Sequence, residues 1–208
     1  MKFFATKARV YNRGVPSDEF LTELVNFVKV APDDYFAPNK NYDIYNKVRD
    51  ELGPYPDMLT RKAVMAEVLR VLGMFESEGD WNCGVDTSRH SETTNENAEA
   101  GAWQVSWNNR RLDETLRTFL SFNVIDDGVE FQRQMKKDHK LAMEFITLLL
   151  RIDVKDFNRI NNGPVRKGPE RKETWDNPPR PKLWRAEESI YPWLSRSSVD
   201  EFKQLINA

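Results

Sequence analysis

With 208 residues, 39% of them apolar and 31% charged, the chain is long enough to bury one good-sized core and too polar for a bundle of membrane helices. Its richest apolar run, Leu141 to Leu150, is interrupted by Glu144 and falls short of a bilayer span. A net charge of −2 argues against a broad nucleic-acid footprint, and the single Cys83 excludes an internal disulfide; His90 and His139, well separated along the chain, form no recognisable metal site, so no metal or cofactor is implied.

The pattern predicts helix nearly throughout. Ser17 or Asp18 can cap a helix from Glu19 to Val30, in which Leu21, Leu24, Val25 and Val28 recur at helical spacing. Pro32, Pro38, Pro54 and Pro56 punctuate the next segment and leave a short helix near Tyr42 to Leu52. A strongly apolar helix then runs from Asp57 to Glu76. After a polar segment, Asn82 to Ala98, and a Gly/aromatic stretch, Arg110 to Phe122 reads as helix, and Asp126-Asp127 can cap a long one reaching Ile152. On that helix His139 shares a face with Met135, Met143, Ile146 and Leu150, which reads as core rather than catalysis.

From Asn161 to Lys182 the composition turns to Gly, Pro, Lys and Arg, which is loop. Its basic residues, Arg166, Lys167, Arg171, Lys172, Arg180 and Lys182, either hold an acidic polymer or partner or simply face water around the domain. Glu187 to Leu194 and Ser198 to Ile206 read as terminal helices; Ser198 with Glu201 resembles a capping box, and Trp184, Tyr191 and Trp193 can dock the tail. No internal repeat appears. The expectation is one domain over 1–208, with a motif core at about 57–122, a basic loop at 161–182 and a helical tail at 183–208.

The apolar helix carries the chemistry. At about 100° per residue, with Glu67 at zero, Arg70 falls at about 300° on the same narrow polar stripe, while Glu76 falls at about 180°, among Met65, Leu69 and Leu72. One carboxylate therefore lies on the apolar side. Desolvation disfavours the charged form of such a group, and a carboxyl that stays protonated near neutral pH can act as a general acid.

Glu76-Ser77, an aromatic-containing turn, and then Gly101-Ala102-Trp103-Gln104 resemble the Glu-Ser … Gly-Leu-Met-Gln pattern of the lysozyme superfamily, especially lytic transglycosylases and goose-type lysozymes. The resemblance spans roughly residues 60 to 110 and rests on about six positions; the intervening segment is longer and more polar, and Ala102-Trp103 replaces Leu-Met, as in a distant branch. It implies a mostly α, lysozyme-like fold with an extended C-terminal loop and terminal helices. It also implies that Glu76 protonates a glycosidic oxygen, that Ser77 supports the site, and that Gly101 and Gln104 line a saccharide groove. The implied substrate is a β-1,4-linked amino-sugar polymer, peptidoglycan or a chitin-like chain. Trp81, Trp103 and Trp107 suit stacking on sugar faces, although aromatics at such spacing also build cores.

A second carboxylate decides the mechanism. Inverting enzymes hold the pair about 6.5–9.5 Å apart and retaining ones about 5–5.5 Å. Asp86 follows a Gly turn and precedes Thr87-Ser88, which makes it a candidate base; Glu92, Glu96 and Glu99 are alternatives, Glu99 because it adjoins Gly101 to Gln104. Transglycosylases need no such group and form an anhydro product. Met1 to Arg9 lacks the apolar core of a signal peptide, so an enzyme of this kind would reach its polymer by another route or with a leader absent from this sequence. A glycan-binding module without catalysis, or a helical protein-interaction module, are the alternative readings.

Overall fold

The computed structural model describes residues 1–39, 43–84, 93–152 and 190–208. Its elements are α1 (Asp18–Val30), the single turns α2 (Ile44–Lys47) and α3 (Arg49–Leu52), α4 (Met58–Ser77), β1 (Glu99–Ala100), β2 (Val105–Ser106), α5 (Glu114–Phe122), α6 (Gly128–Lys137), α7 (His139–Leu150) and α8 (Arg196–Asn207). The described residues are thus mostly α. Among them no helix is long and apolar enough to cross a membrane.

The core is built around α4, and α1 and α8 both lie against it. Asp57 starts α4 by accepting the Thr60 amide at 2.7 Å. From Ala63 to Met74 every residue is buried, because the helix is covered on all sides. Its two charged residues inside that stretch satisfy each other: Arg70 Nε donates to Glu67 Oε2 at 2.6 Å and Nη2 to Oε1 at 2.7 Å, with both side chains fully buried. The same pair ties the chain ends to the helix. Arg70 Nη1 donates to the Ala8 carbonyl at 3.1 Å, and the Ser195 amide donates to Glu67 Oε1 at 2.9 Å.

Several expected elements change at their ends. Ser17, not Asp18, caps α1, accepting from the Phe20 amide at 3.1 Å. The helix expected from Tyr42 to Leu52 is two turns that meet at Val48. The long helix expected to reach Ile152 breaks at Asp138, whose carboxylate accepts the Leu141 amide at 2.9 Å and starts α7 afresh. Trp107–Arg111 forms a 3-10 turn, and Asp113 caps α5 after it. At the C-terminus Ser195 is the cap of α8, while Ser198 is buried and donates to the Ala5 carbonyl at 3.1 Å. Glu201 is no capping-box partner; its two oxygens accept the Phe4 and Thr6 amides, each at 2.7 Å. The basic segment 161–182 and Trp184 lie outside the described residues.

Candidate functional site

Helix α4 ends where Glu78 takes a left-handed φ of 64° and Gly79 one of 77°. The Glu78 amide returns to the Met74 carbonyl at 3.0 Å and the Gly79 amide to the Gly73 carbonyl at 3.1 Å. Glu76 and Ser77 therefore stand on the final turn, both half-buried. The Ser77 hydroxyl accepts the Asp80 amide at 3.1 Å and donates across to the Ala102 carbonyl at 2.8 Å. That bond joins the two halves of the motif, which are separated by the whole polar segment in sequence.

The second half is a tight antiparallel hairpin, with Glu99 opposite Ser106 and Ala100 opposite Val105. Gly101 opens its turn at φ 73°, and a side chain there would meet the Met135 carbonyl of α6 at 2.7 Å, so both conformation and space require glycine. The Gly101 amide donates to the Cys83 carbonyl at 3.0 Å, which fastens the hairpin to the Trp81–Cys83 turn after α4. Gln104 closes the turn at φ 47°, and its side-chain amide donates to the Gly101 carbonyl at 2.9 Å. The helix end, the adjoining turn and the hairpin form one hydrogen-bonded unit.

The tryptophans belong to the core instead of a groove. Trp103 is 1% exposed; its Nε1 donates to the Leu69 carbonyl at 3.0 Å, over Gly73, where any side chain would collide with Phe20 and the Trp103 ring. Trp81 sits edge-on to Trp103 at 5.2 Å and stacks flat on His139 at 3.9 Å, and Trp107 leans on Phe131 at 5.9 Å. Rings this large bring most to stability when buried, so the expected sugar-stacking role of Trp81, Trp103 and Trp107 gives way to packing. His139, expected in the core, is partly exposed and its Nδ1 lies 2.6 Å from Glu23 Oε2.

The candidate bases sort differently. Glu99 is half-buried on β1, next to the Gly101–Gln104 turn. Glu96 is held by Arg110 at 3.4 Å and by Arg111, which commits it to fastening the loop before β1. Asp86 and Glu92 lie outside the described residues. Burial pushes the Cys83 thiol up, and the nearby Asp80 carboxylate adds to the effect. No group of three potential metal-ligating side chains converges among the described residues.

In comparisons with known proteins, no family model, no curated protein and no solved structure matches this chain. Two features around the unit are not expected from the motif: the buried Glu67–Arg70 pair and the Glu23–His139–Trp81 stack. The first carries a local signal in its spacing of three along a helix. The second joins α1, α7 and the turn after α4, and no local pattern announces it.

Proposed function

We propose that the chain is a glycoside-cleaving enzyme of lysozyme-like fold that acts on a β-1,4-linked amino-sugar polymer, with peptidoglycan first and chitin or chitosan as variants. The observation that carries this reading is the Ser77 hydroxyl bond to the Ala102 carbonyl, which seats the Glu76-bearing turn against the Gly101–Gln104 hairpin. Those two segments are the ones that the lysozyme-superfamily pattern pairs.

In this reading Glu76 donates its proton to the glycosidic oxygen as the C1–O bond breaks, and the leaving sugar departs as a neutral hydroxyl. The electron-poor C1 is then attacked either by water, whose proton passes to Glu99 or Asp86, or by the sugar's own C6 hydroxyl, which closes an anhydro ring. In the anhydro branch the Glu76 carboxylate takes the C6 hydroxyl proton as the ring closes; in the hydrolytic branch the base gives the water proton up to solvent and solvent reprotonates Glu76. Ser77 holds the turn in place, and Gln104 lines the groove. The half-buried Glu99 is the candidate base within the described residues.

The test is digestion of purified peptidoglycan and of chitin oligomers by the native chain and by Glu76→Gln, with products read by mass spectrometry. Anhydro-ended fragments made only by the native chain identify a transglycosylase. Water-added fragments identify a hydrolase. Absence of cleavage by a folded native chain overturns the enzymatic reading and favours a binding or protein-interaction module.

A further inference from the structure

At the opposite end of α4 from Glu76, a cavity of about 350 Å³ opens between the Pro38-Asn39 segment, α2 and the Pro54-Tyr55-Pro56 turn. That volume suits a small ligand. Its floor is Arg61, which is 8% exposed. The Arg61 Nε donates to the Phe36 carbonyl and Nη2 to the Ala37 carbonyl at 3.4 Å, while the guanidinium lies 3.8 Å above the Tyr45 ring and 5.8 Å from that of Tyr55. Carbonyls and ring faces solvate a cation without neutralising it. No carboxylate among the described residues makes an ion pair with Arg61; Asp43 acts on it only through space, and burial, more than any neighbouring charge, lowers its affinity for the proton.

The one carboxylate lining the cavity is already committed. Asp43 is 2% exposed, pairs with Arg151 Nε at 2.8 Å and accepts the Tyr45 amide at 3.1 Å. Glu51 acts on Tyr55 electrostatically but does not line the cavity. At the rim stands Arg49, exposed and without an ion pair among the described residues. The tyrosine hydroxyls are spent on holding the walls: Tyr45 donates to the Arg61 carbonyl at 2.9 Å and Tyr55 to the Tyr45 carbonyl at 3.0 Å. The cavity thus combines a buried cation, a second cation at the mouth, fixed aromatic walls and proline edges. Guanidinium groups present paired donors that match the oxygens of a carboxylate or phosphate.

We propose that this cavity binds a small organic anion, a carboxylate or phosphate monoester on a flat apolar body, with Arg61 and Arg49 holding the anionic group and Tyr55 lying against the body. Arg61 and Glu76 are separated by about 22 Å of helix, so the site is independent of glycan cleavage.

The test is an NMR titration of the full chain with phenyl phosphate, benzoate, inorganic phosphate and uncharged benzyl alcohol. Saturable shifts at the Arg61 Nε–H and the Tyr55 ring are expected with one or both anions and not with the alcohol. Arg49→Gln, a surface change that spares the fold, should weaken binding about tenfold, as loss of one charge-assisted contact implies. Glu76→Gln should leave binding unchanged. Absence of saturable shifts with both anions, or affinity indifferent to Arg49→Gln with an unchanged melting curve, would overturn the proposal. Equal affinity for inorganic phosphate and phenyl phosphate would overturn the apolar half of the assignment.

Discussion

Glu67 in the middle of α4 and Glu76 in its last turn share one helix but occupy opposite environments. Glu67 is fully buried, and its oxygens are filled by Arg70 and the Ser195 amide. Glu76 is half-buried, on a turn that Ser77 fastens to the hairpin. A buried carboxylate with a complete set of partners is architecture, since any ligand would have to displace those partners first. A carboxyl that is to hand a proton to a polymer needs an edge position, where the polymer can reach it, and rigid support behind it. The middle of α4 holds the chain ends together, and its end carries the carboxyl that the proposed function uses.

Exchanging the two carboxylates one at a time tests that division. Glu76→Gln should lower the rate of glycan cleavage by about 10²–10⁴-fold, the usual worth of a general acid, with no change in the denaturant midpoint. An unfolding shift without an activity loss would reverse the assignment. Glu67→Gln should do the opposite. It leaves the Arg70 charge buried without its counter-ion and should cost about 3–5 kcal/mol in urea unfolding, with the remaining folded fraction keeping its specific activity.

Gly73→Ala probes the support behind the site. An alanine in a helix ordinarily gains about 1 kcal/mol over glycine. Here the added Cβ would lie 2.8 Å from Phe20 Cζ and 3.1 Å from Trp103 Nε1, and both rings are fixed in the core. Overpacking costs about 1–3 kcal/mol, and the rigidity of these neighbours places it high in that range, so a net loss of about 1–2 kcal/mol is expected in thermal unfolding. Ser77→Ala should cost about 1 kcal/mol and raise amide exchange selectively at Asp80, the amide that its hydroxyl accepts. An unaltered exchange rate at Asp80 would show that its bond to the Ser77 carbonyl is enough to hold that amide without the hydroxyl.

The smallest effect belongs to a partly exposed carboxylate, Glu130, which serves as the surface counterpart to Glu67. Hydrogen bonds from Arg133 and Gln134 hold its carboxyl down at about 2. A depressed folded value means that the contribution is present above the unfolded-state value and is lost as pH falls through about 2. Carbon-13 titration should therefore find Glu130 still ionised at about pH 3, and removal of Arg133 should return it toward about 4.3, with little change in stability because the pair is solvated.

Much of the local structure was legible in the sequence. Asp57 and Asp127 cap helices because a short acidic side chain before a helical run accepts its first free amides, whereas the cap at Asp113, inside the helix expected from Arg110 to Phe122, came only with the structure. The extent of α4 follows from its apolar run, and its end from the Glu78-Gly79 turn. The break at Asp138 was not legible, since the apolar spacing continues on both sides of it. The same holds for the tryptophans: spacing cannot tell a ring that faces a groove from one that faces the core. Ser198 and Glu201 present a capping-box pattern, but the N-terminal turn claims Glu201 instead.

The sequence by itself therefore determined a mostly α chain, a central apolar helix with one carboxyl in its last turn, and a Gly-x-x-Gln turn beyond it, because propensity, capping and periodicity act over a few residues. Only the tertiary structure decided that Ser77 bonds Ala102, that Glu67 and Arg70 are sealed from water, that three tryptophans are core, and that Arg61 lies beneath a cavity. Each of those outcomes depends on which distant segment covers which face, and burial is a property of the assembled molecule rather than of any stretch of its chain.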